Sequence, residues 1–190
     1  MQVRYVANAC FLITLAGGRR ILTDPWFCGP CQQTWWNFPP VHERLAEEIR
    51  DSRPDFLYIS HLHHDHLHAE SLASFDRATP VIVGAMNFDG AVAAEQTIDW
   101  LATRNADELL RRSVVVLNDV YHCQNKEFVT KVRDSLGPRV GAVKTIPWDA
   151  HLRDGAVLDF DALRRTTQLA YIDLAAWLAQ GFTTAGASAR

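Results

Sequence analysis

A run of histidines between residues 61 and 68 constrains this chain more than any other feature. Five of the eight histidines fall there, directly after the apolar segment Phe56-Leu-Tyr-Ile-Ser60. Neutral imidazole and carboxylate groups are the ligands that suit zinc, iron or manganese, and a loop that leaves a strand can direct alternate side chains inward. The run therefore predicts a metal site at the end of a strand.

The spacing within the run predicts which residues bind. His61 and His63 lie two residues apart and can reach one metal, while Asp65 and His66 face a second position close by. We expect one or two divalent metals, with zinc favoured and iron or manganese as the alternatives. Two metals would activate water near neutral pH and polarise the bond under attack.

The other two histidines of the run, His64 and His68, are interpreted as supporting or exposed residues. Two simpler interpretations of the whole run are an exposed tag-like segment and histidines that merely satisfy backbone groups. A tag would lie at a terminus, however, and structural histidines rarely occur in this order. Metal binding is the preferred interpretation.

Charge and composition exclude several classes of protein. The formal net charge of the 190 residues is −3, so nothing requires a nucleic acid or an anionic membrane surface as partner. The start of the chain lacks the basic end and apolar core of a signal peptide, and no apolar run approaches the roughly 20 residues that span a bilayer. We expect a cytoplasmic protein without a membrane span.

Four cysteines, at positions 10, 28, 31 and 123, are too few for a secreted disulfide framework in a chain of this length. Cys28-Gly-Pro-Cys31 has the form of a redox pair, whose first thiol is activated at a helix N-terminus. The segment that follows is aromatic and broken by prolines rather than helical. A loop near the metal site is the preferred interpretation.

Hydrophobic patterns predict an α/β chain throughout. In the first half we expect a surface helix over 42–50, a short helix over 69–75 and strands over 3–8, 9–16, 19–24, 56–60 and 80–84. In the second half, two helices over 90–112, a helix ending at Gly137-Pro138 and a long final helix alternate with strands over 113–117 and 140–146. The apolar run 113–117 is typical of a strand covered on both faces. Residues 183–190 are predicted to be a disordered tail.

The motif His61-x-His63-x-Asp65-His66 after an apolar strand resembles the signature of the metallo-β-lactamase fold superfamily. Asp24 lies where that family keeps an aspartate at a strand end. The surrounding segments resemble the branch with UlaG-like and CMP-N-acetylneuraminate hydroxylase-like proteins over residues 1–84. The resemblance implies an αββα sandwich and a two-metal hydrolase in which Asp65 and Asp24 are catalytic residues.

A complete site of that family implies further ligands downstream, namely a histidine for the first metal, a bridging aspartate and a last histidine. Only His122 and His151 are available in this chain as later histidines. Neither neighbourhood resembles the family's later motifs, and an exposed loop histidine is the simpler interpretation of each.

Residues 85–185 resemble the C-terminal part of MinD/ParA-type ATPases, in particular the MinD-like proteins linked to type VII secretion. The segments that carry this resemblance are Asp89–Leu101, Ser113–Asn118 and Ile146–Ala156. It implies a base pocket lined by Asn118, Pro147 and Asp149. The phosphate-binding loop of such an ATPase, G-x-x-x-x-G-K-S/T, is absent from the sequence.

Together these patterns predict an incomplete metallo-β-lactamase-like part over 1–84, joined to a Rossmann-like parallel α/β part over 85–182. The preferred function is a metal-dependent hydrolase of a small molecule, conditional on the missing ligands. The alternatives are a non-catalytic nucleotide-binding or partner-docking module, and an inactive fusion of two partial domains. Exposed strand edges favour self-association.

Overall fold

The computed structural model describes residues 1–61, 63–75, 78–103, 107–123, 125–154 and 157–187, with the backbone alone from 181 to 187. The chain opens with an antiparallel meander of three strands, β1 (Gln2–Ala7), β2 (Cys10–Thr14) and β3 (Arg20–Thr23). Gly18, at a φ of 81°, turns the chain between β2 and β3. The three predicted strands are confirmed: β1 is shifted by one residue, and β2 and β3 are shorter than expected.

Four parallel strands continue the same sheet beyond β3. They are β4 (Phe56–Ile59), β5 (Thr79–Ala85), β6 (Val114–Asn118) and β7 (Ala142–Ile146). The strand order is β1 to β7 in sequence, so every neighbour in the chain is a neighbour in the sheet. Gly84 pairs with Leu117, and the sheet therefore runs without a break through the predicted boundary at residue 84.

Seven α-helices connect or flank these strands in the described part of the chain: α1 (Glu43–Asp51), α2 (Ala69–Leu72), α3 (Phe88–Ala102), α4 (Asp107–Arg111), α5 (Lys126–Leu136), α6 (Ala150–Arg153) and α7 (Arg165–Ala187). Short 3₁₀ turns occupy Gly137–Arg139 and Phe160–Ala162. Helix α7 extends to Ala187, into the segment predicted to be a disordered tail. The rest of that segment, 188–190, lies outside the described residues.

The core has two parts, one on each face of the sheet. Helices α1 to α5 cover one face, where Leu57 and Val115 belong to a large cluster that also contains Ile98 of α3. Crossovers between adjacent parallel strands are right-handed, which places successive helices on the same face. Helix α7 packs on the opposite face against Val114 and Val116. The prediction of a strand covered on both faces is thus confirmed for β6.

The four-layer αββα sandwich implied by the resemblance is wrong for the described residues. They form a single sheet between two helical layers, because all seven strands pair side by side and leave none for a second sheet. The carboxyl ends of β3 to β7 meet at one edge of this sheet. No helix in the described part is long and apolar enough to cross a membrane.

Candidate metal centre

The histidine run leaves the carboxyl end of β4, and Asp24 follows the adjacent strand β3. The backbone N–H of Asp24 donates to the carbonyl of Tyr58 at 2.8 Å, which extends the β3–β4 pairing to the start of the run. Asp24 has a φ of 36°, in the left-handed region that aspartate tolerates better than most residues. Two segments separated by some 36 residues in sequence therefore meet at one point of the sheet edge.

The Asp24 carboxylate is buried, with 5% of the residue exposed. It accepts hydrogen bonds from the backbone N–H and the hydroxyl of Ser60, both at 2.7 Å, and lies 3.1 Å from Nδ1 of His66. A carboxylate accepts a hydrogen from a neighbouring imidazole, so Nδ1 of His66 carries the proton and Nε2 carries the lone pair. This is the arrangement in which a second residue orients a metal-binding histidine.

Ser60 links Asp24 to two histidines. Its hydroxyl gives its single hydrogen to Asp24 and lies 3.0 Å from Nδ1 of His61 and 3.3 Å from Nδ1 of His66. The hydroxyl oxygen must therefore accept a hydrogen from His61, which leaves the lone pair of that ring on Nε2. Sequence reasoning did not select Ser60, because its role depends on Asp24, which lies beside it only in the folded chain.

The structure brings the four predicted ligands together as two pairs. Nε2 of His61 lies 3.0 Å from Nδ1 of His63, and Nε2 of His66 lies 3.6 Å from a carboxylate oxygen of Asp65. The rings of His61 and His66 are 3.9 Å apart between centroids, so the pairs adjoin each other. Two ligand atoms that share one tetrahedral metal at about 2.1 Å are about 3.4 Å apart. The separations in the two pairs, 3.0 and 3.6 Å, lie on either side of this value.

Each of the two pairs could supply two ligands to a metal, but the side chains do not form a complete ligand set. No group of three or more His, Cys, Asp or Glu side chains among the described residues is arranged so that it could hold a metal ion. The donor chemistry suits a divalent metal, and each pair spans one edge of a coordination shell.

Burial lowers the pKa of His61, and the neighbouring imidazoles of His66 and His63 lower it further. The neutral ring is therefore the favoured form of His61. A metal ligand must be neutral imidazole, so the surroundings already favour the binding form.

The remaining histidines of the run have other contacts. His64 is exposed, with its ring 6.3 Å from that of Trp100 on α3. His68 is buried and caps α2, because its Nδ1 accepts the backbone N–H of Ser71 at 3.4 Å. Its Nε2 faces the carbonyl of Pro30 at 3.5 Å.

The loop with Cys28 and Cys31 packs beside the candidate centre. The sulfur of Cys28 lies 3.3 Å from the Ser71 hydroxyl, and Cys31 is buried with 2% exposed. Burial raises the pKa of the Cys31 thiol, and the Asp65 carboxylate raises it further. Both thiols are free. The segment after them is not helical, as predicted.

The two later histidines lie further along the same sheet edge. His122 follows β6, two strands from β4, and stacks on Trp148 with ring centroids 4.8 Å apart. His151 lies on α6 after β7, and its Nε2 accepts the backbone N–H of Asp159 at 2.9 Å. At about 4.8 Å a strand, the ends of β6 and β7 from which they follow lie roughly 10 and 14 Å from the end of β4.

The residues predicted for a base pocket lie on the ends of β6 and β7. Asn118 ends β6 and pairs with Ile146, and Pro147 directly follows β7. Asp149 is buried, and its carboxylate accepts the backbone N–H groups of His151 at 3.0 Å and Arg164 at 2.8 Å. Burial raises the pKa of Asp149, but these hydrogen bonds outweigh it and lower the pKa below its usual value. Its carboxylate thus caps α6 and fixes the chain before α7.

The fold and the edge cluster define a mixed α/β protein with a histidine-rich loop at the carboxyl ends of parallel strands. The family model described as beta-lactamase superfamily domain matches residues 2–143. The chain belongs to this family. The match passes through residue 84, as the sheet does.

Several curated proteins are similar to part of the chain. Cytidine monophosphate-N-acetylneuraminic acid hydroxylase from Asterias rubens is 36% identical over 102 residues, which cover 51% of this chain and 15% of that protein. The protein of the same name from Xenopus laevis is 37% identical over 120 residues, covering 60% and 18%. ESX-1 secretion-associated protein EspI from Mycobacterium tuberculosis H37Rv is 30% identical over 110 residues, covering 56% and 16%.

The chain therefore spans less than a fifth of the length of these three relatives. No solved structure matches the chain.

Proposed function

We propose that the chain binds one or two divalent metals through His61, His63, Asp65 and His66, with zinc preferred over iron and manganese. The observation that carries this proposal is the 3.0 Å separation of Nε2 of His61 from Nδ1 of His63 beside the His66–Asp65 pair. The membership of the beta-lactamase superfamily supports it.

The chain's own residues orient these ligands before any metal arrives. Asp24 holds the proton on Nδ1 of His66, and Ser60 holds the proton on Nδ1 of His61. Each of these two rings then presents Nε2 to the centre. Nδ1 of His63 donates its hydrogen to Nε2 of His61, so it has to lose that proton before it can bind a metal. Asp65 is the one carboxylate among the four and would offset part of the metal's charge.

Hydrolysis of a small molecule is the proposed use of this centre, on the condition that it acquires the remaining ligands. A divalent metal would supply Lewis-acid activation of water and of the bond under attack. Asp24 would act as a positioning residue, because both of its oxygens are already engaged by Ser60 and His66. The names of the relatives point instead to hydroxylation of a nucleotide sugar, but the chain spans 15% and 18% of those two proteins.

Metal content tests the binding step. The purified chain is loaded with zinc, freed of excess metal and analysed by mass spectrometry of the elements, beside the double variant His61→Ala/His63→Ala. We expect one to two equivalents in the unaltered chain and a loss of at least one in the variant. The matched control is His42→Ala/His64→Ala, which also removes two histidines but leaves both ligand pairs intact.

Two results would refute metal binding at this loop: a zinc content well below one equivalent, or full zinc content in His61→Ala/His63→Ala. Hydrolysis is tested separately with p-nitrophenyl acetate and bis(p-nitrophenyl) phosphate. Turnover that requires zinc and is lost in the same double variant would support a hydrolase. Turnover that is unchanged by the double variant would exclude this site as its source.

A second candidate function is the binding of a nucleotide or a protein partner by residues 113–156, as in MinD-type proteins. The position of Asn118 at the end of β6, where it pairs with Ile146 directly before Pro147, favours this candidate. The missing phosphate-binding loop argues for weak affinity for ATP. Retention of ATP by the chain, unchanged in His61→Ala/His63→Ala and lost in Asn118→Ala, would support this candidate.

A further inference from the structure

A cavity of about 530 Å³ lies beside the histidine run, between α2, α3 and the loop that follows Cys28. Its lining includes Leu72, Leu101 and Trp100, together with His64 and His68 of the run. Pockets that bind small molecules measure about 300–1,000 Å³ and combine an apolar lining with a few polar groups. The cavity has the size and composition of a small-molecule site.

The apolar part of the lining favours a flat aromatic ligand. Leu72 and Leu101 are buried, and the Trp100 side chain is half-buried at the cavity wall. The ring of His64 lies 6.3 Å from that of Trp100 and is tilted by 57°. Both rings belong to the lining, and aromatic rings offer stacking or edge contacts to a third ring.

The charge of the lining favours a cation. Among the described residues that line the cavity, Glu70 alone carries a formal charge, and neither Lys nor Arg is present. The Glu70 carboxylate lies against the backbone of Gly29, where an added Cβ would come within 2.3 Å of one of its oxygens. Glu70 is exposed and belongs to the cavity lining, so its carboxylate would repel an anionic ligand.

The rim of the cavity is held in an unusual backbone conformation. Gln32 and Gln33 both line it, with φ values of 49° and 66°. Two consecutive residues other than glycine in the left-handed region are uncommon, and such conformations concentrate at ligand sites. His68, 8% exposed, belongs to the same lining, and its two ring nitrogens are already engaged by Ser71 and the carbonyl of Pro30.

We propose that this cavity is a binding site for a small aromatic cation, in which Trp100 stacks on the ring of the ligand and Glu70 pairs with its ammonium group. The Trp100 face also attracts a nearby cation. The proposal does not require a metal at the histidine run, since neither Glu70 nor Trp100 belongs to the ligand pairs.

Three probes of the same shape and different charge test the proposal: phenethylammonium, 2-phenylethanol and phenylacetate. Each is titrated into the ¹⁵N-labelled chain, with and without a chelator, and the dissociation constant is taken from amide shifts of residues 64–73 and 100–101. We expect saturable binding of phenethylammonium, weaker binding of 2-phenylethanol and at least about tenfold weaker binding of phenylacetate.

Two variants test the assigned contacts. Glu70→Gln should weaken phenethylammonium about fivefold and leave 2-phenylethanol unchanged, since an exposed ion pair contributes up to about 1 kcal/mol. Trp100→Leu keeps an apolar side chain and should weaken both probes about fivefold. The matched controls are Glu47→Gln on α1 and Trp36→Leu, which is 65% exposed and outside the cavity lining.

The proposal is overturned if no probe saturates these amides, if phenylacetate binds as tightly as phenethylammonium, or if Glu70→Gln and Glu47→Gln have the same effect. Because the titration is repeated with a chelator, failure of metal binding leaves this result unchanged.

Discussion

Ser60 connects the residues of the candidate metal centre, because its hydroxyl contacts Asp24 and the Nδ1 atoms of His61 and His66. Ser60→Ala keeps all four proposed ligands but removes the group that orients His61. We expect zinc affinity to fall about 10- to 100-fold, the usual effect of removing such a supporting contact. Competition with a chromogenic chelator measures it.

The control for this variant is Ser74→Ala, which removes a hydroxyl outside the loop. An unchanged zinc affinity in Ser60→Ala would show that the serine does not orient the ligands.

The reactivity of Cys10 tests a second property of a single residue, namely its burial. It has no exposed surface, and burial raises its pKa to about 12. The thiolate is the reactive form, and at pH 8 only about one Cys10 thiol in ten thousand would be ionised. We expect Cys10 to resist iodoacetamide in the folded chain, so that Cys10→Ser leaves the number of labelled sites unchanged at pH 8.

In denaturant the same comparison should differ by one site, since Cys10 is then accessible. Labelling of Cys10 in the folded chain at the rate of a free thiol would contradict its burial.

The four proposed ligands could be selected from the sequence because their spacing is local. The contacts of Ser60 could not, since they depend on the pairing of β3 with β4, which brings Asp24 to the start of the run. The same applies to Asp149. Its role in capping α6 and holding Arg164 depends on segments that meet only in the folded chain.

Gly90 and Gly17 differ in the space around them. At Gly90, near the start of α3, an added Cβ would lie 2.1 Å from the carbonyl oxygen of Ala85. At Gly17, in the turn between β2 and β3, an added Cβ meets nothing within 4 Å, and the backbone is not in the left-handed region. Gly90→Ala should therefore destabilise the chain, whereas Gly17→Ala should stabilise it by about 0.4–1 kcal/mol.

Urea unfolding of both variants measures these changes. Equal stabilisation by the two substitutions would show that β5 and α3 do not approach each other as closely as the Ala85–Gly90 contact requires.

Hydrophobic patterns predicted an element correctly where neighbouring elements cover both of its faces. Val114 and Val116 face α7, and Val115 and Leu117 face the other helices, as a doubly covered strand requires. The prediction ended helix α7 too early, because the Thr/Ala/Gly-rich end of the chain has weak local signals for a helix. The prediction of a second sheet came from the family resemblance and not from the hydrophobic patterns, and the described strands all pair into one sheet.

The two halves of the chain share one core. Leu57 of β4 and Ile98 of α3 are both fully buried in the same cluster, although they lie on opposite sides of the predicted boundary at residue 84. We expect Leu57→Ala and Ile98→Ala each to cost about 2–5 kcal/mol. Either change should reduce protection from hydrogen exchange equally in β2 and β6, because a shared core unfolds as one unit.

Leu158→Ala is the control, since Leu158 is 62% exposed. Loss of protection in β2 alone after Leu57→Ala would contradict a shared core and favour two independent parts.

For the whole molecule, the central claim is that the histidine run binds a divalent metal. X-ray absorption at the zinc edge tests it most directly, because it reports the atoms around the metal. The proposed ligands predict only nitrogen and oxygen neighbours at about 2.0–2.2 Å. Sulfur neighbours at about 2.3 Å would place the metal on Cys28 and Cys31 and contradict the claim.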